Sequence, residues 1–393
     1  MGKARTKNHS VTHSSTERIL ISCAGVGMGN ASRVAAVIEA LNEMSLEKKR
    51  PMSFHVVTWG SAYTFLREFQ RESAVSFELI EAHSYGPPQH ILNFSSLRSL
   101  FGFGRTFLKN LRFLRSIVTR VKPSLIVLDS DYHFPSYFGA GCQRLYIGQA
   151  KDVLERARRN AYKPADLRER LNFYFKERLD AVLQHWFSHA ILVPSFTDAA
   201  AGAANRGGGK VRRIPLIVRR EFLETAAGEA NRQSVGILLS GSELEKAAFM
   251  ELAVKFGLKV FSPRVSSVPS RANELDDFEV VFTQGGLSSI SECLARDKFM
   301  VVFPLSHHPE QLLNAMEVER LGLGLASRLD DLERFPELLE RIRQARRSDA
   351  RVLCNGADVA AEIILETLNS ARAEFVRPNS AQAELVGLHA SEG

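Results

Sequence analysis

The chain has 393 residues, 45% of them hydrophobic and 24% charged, the balance of a globular protein with enough length for two domains, each with its own core. No apolar run approaches the roughly twenty residues of a membrane-spanning helix, and Cys23, Cys142, Cys293 and Cys354 have no metal-type spacing, which argues against a helical membrane protein and a zinc module and fits buried thiols in a reducing cytoplasm. A net charge of +7 and a pI near 9.3 suit an anionic partner, but no nucleic-acid-binding motif accompanies them, and no nucleic acid is expected.

Residues 1–17 are basic and polar, without an apolar core, and read as a disordered leader, neither signal peptide nor anchor. The first strand is expected from Arg18 to Cys23. It runs into the glycine loop Ala24-Gly25-Val26-Gly27-Met28-Gly29-Asn30 and then a helix to about Glu43. Strand, glycine loop and helix make a ligand-facing turn. The glycine spacing departs from the dinucleotide fingerprint, and the next strand, Phe54 to Thr58, ends in Trp59-Gly60-Ser61 without the ribose-binding acid, so a redox cofactor is not expected.

From Arg98 to Lys122 there are seven basic residues and no acid. Phe107, Leu111, Leu114, Val118 and Val121 recur at helical spacing, which predicts a helix with one packed face and a basic back. With Phe101 and Phe103 read as exposed, that back suits anionic lipid headgroups or an anionic acceptor. Pro123 precedes a buried strand, Leu125 to Leu128, that ends in Asp129-Ser130-Asp131-Tyr132-His133. Acids at the carboxyl end of a parallel strand point into a cleft. Asp131, further past the strand, is the expected proton acceptor; Asp129 and His133 are alternatives, and capping of the next turn competes for each carboxylate. A strand at Leu145 to Ile147 leads into a charged helical region, 151–188, where Leu167, Leu171, Tyr174, Leu179, Val182 and Trp186 supply an apolar stripe. Ala190 to Val193 is the last strand expected in a first domain, 18–215, followed by a linker, 216–233.

A second domain, 234–370, opens with a strand from Ser234 to Leu239 whose turn, Ser240-Gly241, offers backbone N–H groups to phosphate. Lys259 to Phe261 is the next strand, and Ser262-Pro263-Arg264 is where a nucleotide base is expected to lie. The apolar run Val280 to Phe282 stops at Thr283-Gln284-Gly285-Gly286 and becomes a helix. The free N–H groups of Leu287, Ser288 and Ser289, with the helix dipole behind them, suit an anion, most often a phosphate. Glu292, one turn on, is placed to accept hydrogen bonds from a vicinal diol such as ribose, although Ser288 and Glu292 are also ordinary helix-start residues. After a strand at Phe299 to Phe303, Pro309 begins a helix whose Glu310, Gln311 and Asn314 cluster beside the glycine turn, a lining suited to sugar hydroxyls. Helices at 331–347 and 359–369 close the domain, and 371–393 reads as a mobile tail.

Taken together, Gln284-Gly285-Gly286-Leu287-Ser288-Ser289 with Glu292, then Pro304, Glu310-Gln311, Asn314-Ala315 and Gly322, resemble the donor-binding signature of nucleotide-sugar glycosyltransferases of the GT-B fold. The resemblance is to the cell-wall, lipid II-forming N-acetylglucosaminyl transferases and to uncharacterised bacterial and archaeal proteins like them. It implies an α/β architecture of two Rossmann-like domains facing a central cleft. It also implies that the glycine turn holds the diphosphate, Glu292 the ribose, and Glu310, Gln311 and Asn314 the donor sugar. The first loop fits the same pattern at Gly25, Gly27, Gly29 and Arg33, but Asn30 stands where the family commonly has a histidine, and an amide is no base near neutral pH.

The expected activity is transfer of a sugar from a nucleotide diphosphate, a UDP-sugar first, to a hydroxyl acceptor that is lipid-linked or anionic. No resident cofactor or metal is expected, inversion is expected from the resemblance, and the expected location is the cytoplasm, at the inner face of a membrane. The alternatives are a nucleotide-sugar epimerase on the same architecture and a non-catalytic nucleotide-sugar binding protein.

Overall fold

The computed structural model describes residues 16–25, 27–85, 97–196, 209–224, 235–238, 250–251, 253–257, 259–261, 275–345, 352 and 354–376. Two parallel sheets organise them. The first has seven strands: β1 (Glu17–Cys23), β2 (Met52–Thr58), β3 (Glu78–Glu81), β4 (Leu125–Asp129), β5 (Gln143–Ile147), β6 (Ala190–Pro194) and β7 (Val211–Ile214). They lie in the order β3-β2-β1-β4-β5-β6-β7. The second has β8 (Val235–Leu238), β9 (Lys259–Phe261), β10 (Val280–Gln284), β11 (Phe299–Phe303) and β12 (Gly324–Ala326), in the order β12-β11-β10-β8-β9.

Each sheet has a switch point where the strand order reverses, between β1 and β4 in the first and between β8 and β10 in the second. Open α/β sheets bind ligands beyond the carboxyl ends of such strands. The central strands are buried throughout: every residue of β4 (LIVLD) and β11 (FMVVF) is inaccessible, as strands covered by helices on both faces must be. In register, Cys23 pairs with Asp129, and Gln284 with Phe303.

The covering helices are α1 (Gly29–Glu47), α2 (Gly60–Glu72), α3 (Leu97–Val121), α4 (Ala150–Arg159), α5 (Leu167–Asn172) and α6 (Leu179–Phe187) around the first sheet. A 3₁₀ turn, Phe134–Tyr137, follows β4, and a π-helical turn, Phe173–Arg178, joins α5 to α6. Short α7 (Glu221–Glu224) precedes the second sheet, which carries α8 (Leu287–Ala295), α9 (Pro309–Arg320) and α10 (Phe335–Gln344).

The last helix, α11 (Gly356–Val376), leaves the second sheet. Ala360, Ala361, Ile364 and Leu368 join the core between β1, β2 and α1 of the first. Arg50 Nη1 donates to Asn369 and Arg212 pairs with Glu366, both at 2.8 Å, and seal it there. The crossing is tight: Gly356 N donates to Leu216 O at 2.9 Å, and a Cβ on Gly356 would collide with the Pro215 and Leu216 carbonyls.

Several sequence expectations change as a result. The closing helix of the second domain packs on the first sheet, because its apolar face fits α1. Residues 371–376, expected in a mobile tail, continue that helix. The expected linker is core where it is described: Leu216, Val218 and Phe222 are buried with β8, β10 and α8, and Ile217 with the first sheet. Glu17, expected in the leader, starts β1 and is buried against Arg50. Phe103 is half-buried, with its ring 4.9 Å from Tyr85, and not an exposed anchor; the side chain of Phe101 lies outside the described residues.

Candidate functional site

The carboxyl ends of β1 and β4 hold two buried networks. In the first, Arg33 on α1 clamps Asp129 with Nε at 3.1 Å from Oδ2 and Nη2 at 2.6 Å from Oδ1. Both are buried, Asp129 completely. Burial alone would lower the Arg33 pKa, but Asp129 outweighs it and, with a contribution from Glu310, holds the guanidinium firmly charged. The same Nη2 donates to Asn30 Oδ1 at 2.7 Å, so Asn30 steadies Arg33. Asp129 is the inner half of an ion pair with no route to an acceptor, which corrects its expectation as a base.

In the second network Asp131 Oδ2 accepts from Ser22 Oγ and Tyr137 OH, each at 2.5 Å, while Oδ1 accepts from His133 N at 3.0 Å and from the His133 Nδ1. Burial would raise its pKa, but His133, Ser22 and Tyr137 together hold it well below the usual carboxylate range. A carboxylate with four donors has no lone pair left for an incoming hydroxyl. Asp131 therefore holds the His133 ring and backbone in place. Tyr85 OH lies 2.5 Å from His133 Nε2; burial pushes the Tyr85 hydroxyl up to about 12, so it stays protonated and donates. The imidazole is thus held at both nitrogens, Nδ1 against Asp131 and Nε2 against the Tyr85 hydroxyl. Phe107 stacks on the ring at 5.0 Å.

Across the cleft, β10 delivers Gln284 to its end, Gly285 and Gly286 turn the chain, and α8 begins with Gly286 as its N-cap and no side-chain cap. The turn needs glycine for space: a Cβ on Gly285 would stand 2.5 Å from the Gln311 carbonyl oxygen and 2.7 Å from Gln311 Cβ. Gly285→Ala is expected to cost about 1–3 kcal/mol by pushing the start of α9 away, read as a lower urea midpoint with an unchanged slope.

The two glycine turns, each expected to face a ligand, face each other. Ser288 Oγ donates to Gly29 O at 2.9 Å, and a Cβ on Gly29 would lie 3.1 Å from that hydroxyl. Four residues on, Ser32 Oγ donates to Glu292 Oε1 at 3.3 Å, and Arg219 Nη2 reaches the same oxygen at 3.3 Å. Glu292 is thus buried, as are Gln284, Leu287 and Ser289. Gln311 Oε1 accepts from Leu305 N at 2.9 Å and shapes the loop after β11. Asn314 is fully buried with its amide occupied at both ends: Oδ1 accepts from Arg156 Nη1 at 2.7 Å and Nδ2 donates to Gly285 O at 2.8 Å. It braces the glycine turn against the first domain and is not a free lining group. Glu310 is half-buried at the start of α9 and adds its charge to Arg33 and Tyr132.

The groups facing the junction are therefore the Gly27–Asn30 loop, the first turn of α8, and Glu310. Ser240 and Gly241 lie outside the described residues, as does 262–264. Among the described residues no group of three His, Cys, Asp or Glu side chains is placed to hold a metal, and no helix is long and apolar enough to cross a membrane. The partners sequence reasoning missed, Ser22, Tyr85, Tyr137, Arg156 and Arg219, come from five separate segments. Their roles appear only when β1, β4, α8 and α9 are brought together.

The fold is that of the two-domain GT-B glycosyltransferases. A kitacinnamycin glycotransferase superposes over 90% of this chain and 99% of its own, with a TM-score of 0.56 and 19% identity. A Streptomyces sp. SF2575 glycosyltransferase solved with thymidine diphosphate covers 89% of this chain and 99% of its own, at 0.55 and 16%. A UDP-GlcNAc 2-epimerase from Neisseria meningitidis bound to UDP-GlcNAc covers 90% and 100%, at 0.55 and 12%; these identities speak to fold alone. Within that fold, residues 265–361 match the Glycosyltransferase family 28 C-terminal domain. An uncharacterised glycosyltransferase of Methanopyrus kandleri is 37% identical over 97 residues, 23% of this chain and 27% of that protein, so the match spans about a quarter of the relative's length.

Proposed function

We propose that this protein transfers a sugar from a nucleotide-diphosphate donor, a UDP-sugar first, to a hydroxyl acceptor. The observation that carries the reading is the uncapped start of α8 after Gly285-Gly286, which lies within the family 28 region and at the switch point of the second sheet, against the glycine loop of the first. As the anomeric bond breaks, the leaving diphosphate gathers negative charge, and the N–H groups of Leu287, Ser288 and Ser289 stabilise it there. Gly27, Gly29 and Asn30 close over it. Glu292 exchanges its Ser32 partner for the ribose diol, and Glu310 meets the sugar. His133 Nε2 takes the acceptor proton where Tyr85 OH stands now, and Asp131 stabilises the imidazolium. Attack from the first-domain face, opposite the diphosphate, inverts the anomeric centre. No metal takes part in this scheme.

A thermal-shift screen with UDP, UDP-GlcNAc, UDP-Glc and dTDP-sugars tests the donor. At a hundredfold excess over Kd the matching nucleotide is expected to stabilise by about 2.7 kcal/mol, and Glu292→Ala is expected to weaken it by about 1.5–3 kcal/mol, the worth of a hydrogen bond to a charged group. No shift with any of them would sink the reading. Labelled donor incubated with acceptor extracts, in EDTA, is expected to give product of inverted anomeric configuration. Because the fold is shared with an epimerase, a parallel reaction without acceptor is needed, and an epimer formed there would favour that class.

A further inference from the structure

A cavity of about 650 Å³ lies at the amino ends of β5, β6 and β7, the end of the first sheet away from the cleft. One wall is made by Gln143, His189 and Lys210 at the strand starts with Arg212 on β7, the other by Glu366 and Asn369 of α11. The five residues of β5 put about 16 Å of strand between it and the carboxyl ends that carry the site. Its volume is that of a small-molecule pocket, for which about 300–1,000 Å³ is usual, and exceeds what a single inorganic anion requires.

Positive charge at this end of the sheet is incompletely neutralised. Lys210 Nζ donates to His185 O, and Arg144 Nε to Phe187 O at 2.8 Å, both carbonyls at the end of α6. Among the described residues neither cation meets a carboxylate. Burial, and then the Arg144 charge, pull the Lys210 amine below its ordinary value, as happens where cations crowd without a counter-charge. Arg212 pairs at 2.8 Å with Glu366, the one acid lining the cavity, which is itself 62% exposed.

The uncharged groups add donors. Arg144 N donates to His189 Nδ1 at 3.0 Å. A backbone N–H cannot accept, so Nδ1 is the bare nitrogen and Nε2 carries the ring proton. Asn369 Oδ1 is taken by Arg50 Nη1 at 2.8 Å, which leaves its Nδ2 as donor. An ammonium, a guanidinium, an imidazole N–H and an amide N–H thus line one concavity, and a phosphate group offers the acceptor oxygens and the charge that answer them. Ala190 and Gly209 leave uncharged space beside them.

We propose that this cavity binds a small organic phosphate, clasped between the starts of β5–β7 and α11, the helix that returns the chain from the second sheet to the first. The site is separate from the cleft and does not depend on which reaction the cleft performs. The full chain is titrated by calorimetry at low salt with inorganic phosphate, glucose 6-phosphate and AMP. At least one organic phosphate is expected to bind, more tightly than inorganic phosphate and less tightly as salt rises. Acetylation locates the site: the Lys210 amine is expected to react early with acetic anhydride at neutral pH, and bound ligand to protect it, as read by mass spectrometry of its peptide. Lys210→Gln with Arg212→Gln is expected to weaken binding about a hundredfold, from about tenfold per charged hydrogen bond. The thermal transition of the unliganded variant should stay in place, because Lys210 gives up only a carbonyl partner and Glu366 is already exposed. Glu292→Ala, in the cleft, should leave the affinity unchanged. No binding of either organic phosphate at millimolar concentration, or binding that leaves Lys210 unprotected, overturns the proposal. So does inorganic phosphate binding as tightly as both organic ones, or binding that survives Lys210→Gln, Arg212→Gln and is lost in Glu292→Ala, which would place the phosphate in the cleft.

Discussion

Replacing His133 by glutamine is expected to lower sugar transfer by about a hundred- to ten-thousandfold, the usual worth of a positioned general base, with donor affinity in the thermal-shift assay unchanged. His133 is held by the Asp131 carboxylate, by the Tyr85 hydroxyl and by the Phe107 ring, all in the first domain. Asp131→Asn is the sharper variant. It preserves size, but the amide can donate to Nδ1 and so move the imidazole proton to Nε2, leaving the wrong nitrogen to meet the acceptor; a fall of the same order is expected. A stability measurement separates chemistry from structure. The carboxyl of Asp131 is depressed in the folded chain, so its stabilisation is complete above the ordinary carboxylate value of about 3.9 and is lost as pH falls below it. The Asn variant should therefore lose the steepest part of the acid unfolding curve. If His133→Gln transferred sugar at the wild-type rate, the proton would have to go elsewhere, and the attack geometry proposed here would fail with it.

The strands carrying the site were legible because a parallel strand buried on both faces is a continuous apolar run, and Phe299–Phe303 appears with the bounds read from sequence. The glycine turn at 285–286 was legible for a similar reason, since paired glycines between an apolar run and a helix leave few alternatives. Short edge strands such as β3, β7 and β12 were missed, having three or four residues each and half-exposed positions. Periodicity found the stripe on α5 and α6 but says nothing of which way it faces, and here it faces out. The most consequential miss concerns the acids after β4. The spacing Asp129, Asp131, His133 is plain in the sequence, but whether a carboxylate accepts a substrate proton or four internal hydrogen bonds depends on Ser22 and Tyr137, which only the β1–β4 register and the 3₁₀ turn bring to it. Glu292 and Asn314 tell the same story from the other side: their positions in a motif were readable, their partners Arg219 and Arg156 were not.

Arg33→Ala is expected to be the most damaging single change to stability, at about 3–5 kcal/mol, because it strands a fully buried carboxylate. The pair is bidentate, Asn30 braces the guanidinium, and the Ala24 amide donates to the Asp129 carbonyl at 3.0 Å. The whole glycine loop is thereby hung on this contact, and the loop's Gly29 is what Ser288 reaches across the cleft. Loss of the pair should lower the urea midpoint of the first sheet and loosen the closed cleft, and donor affinity should fall with it. Asp129→Asn is milder, since an amide oxygen still accepts from Arg33, and about 1–3 kcal/mol is expected for the lost charge. Its folded fraction should transfer sugar at close to the wild-type rate, whereas a catalytic Asp129 would lose turnover and keep its stability. The double replacement Arg33→Met, Asp129→Leu should regain most of what Arg33→Ala loses, because a buried pair exchanged for apolar groups of similar volume is often neutral or better. If the double variant were as unstable as the single one, the cost would belong to packing around α1 and not to the stranded charge.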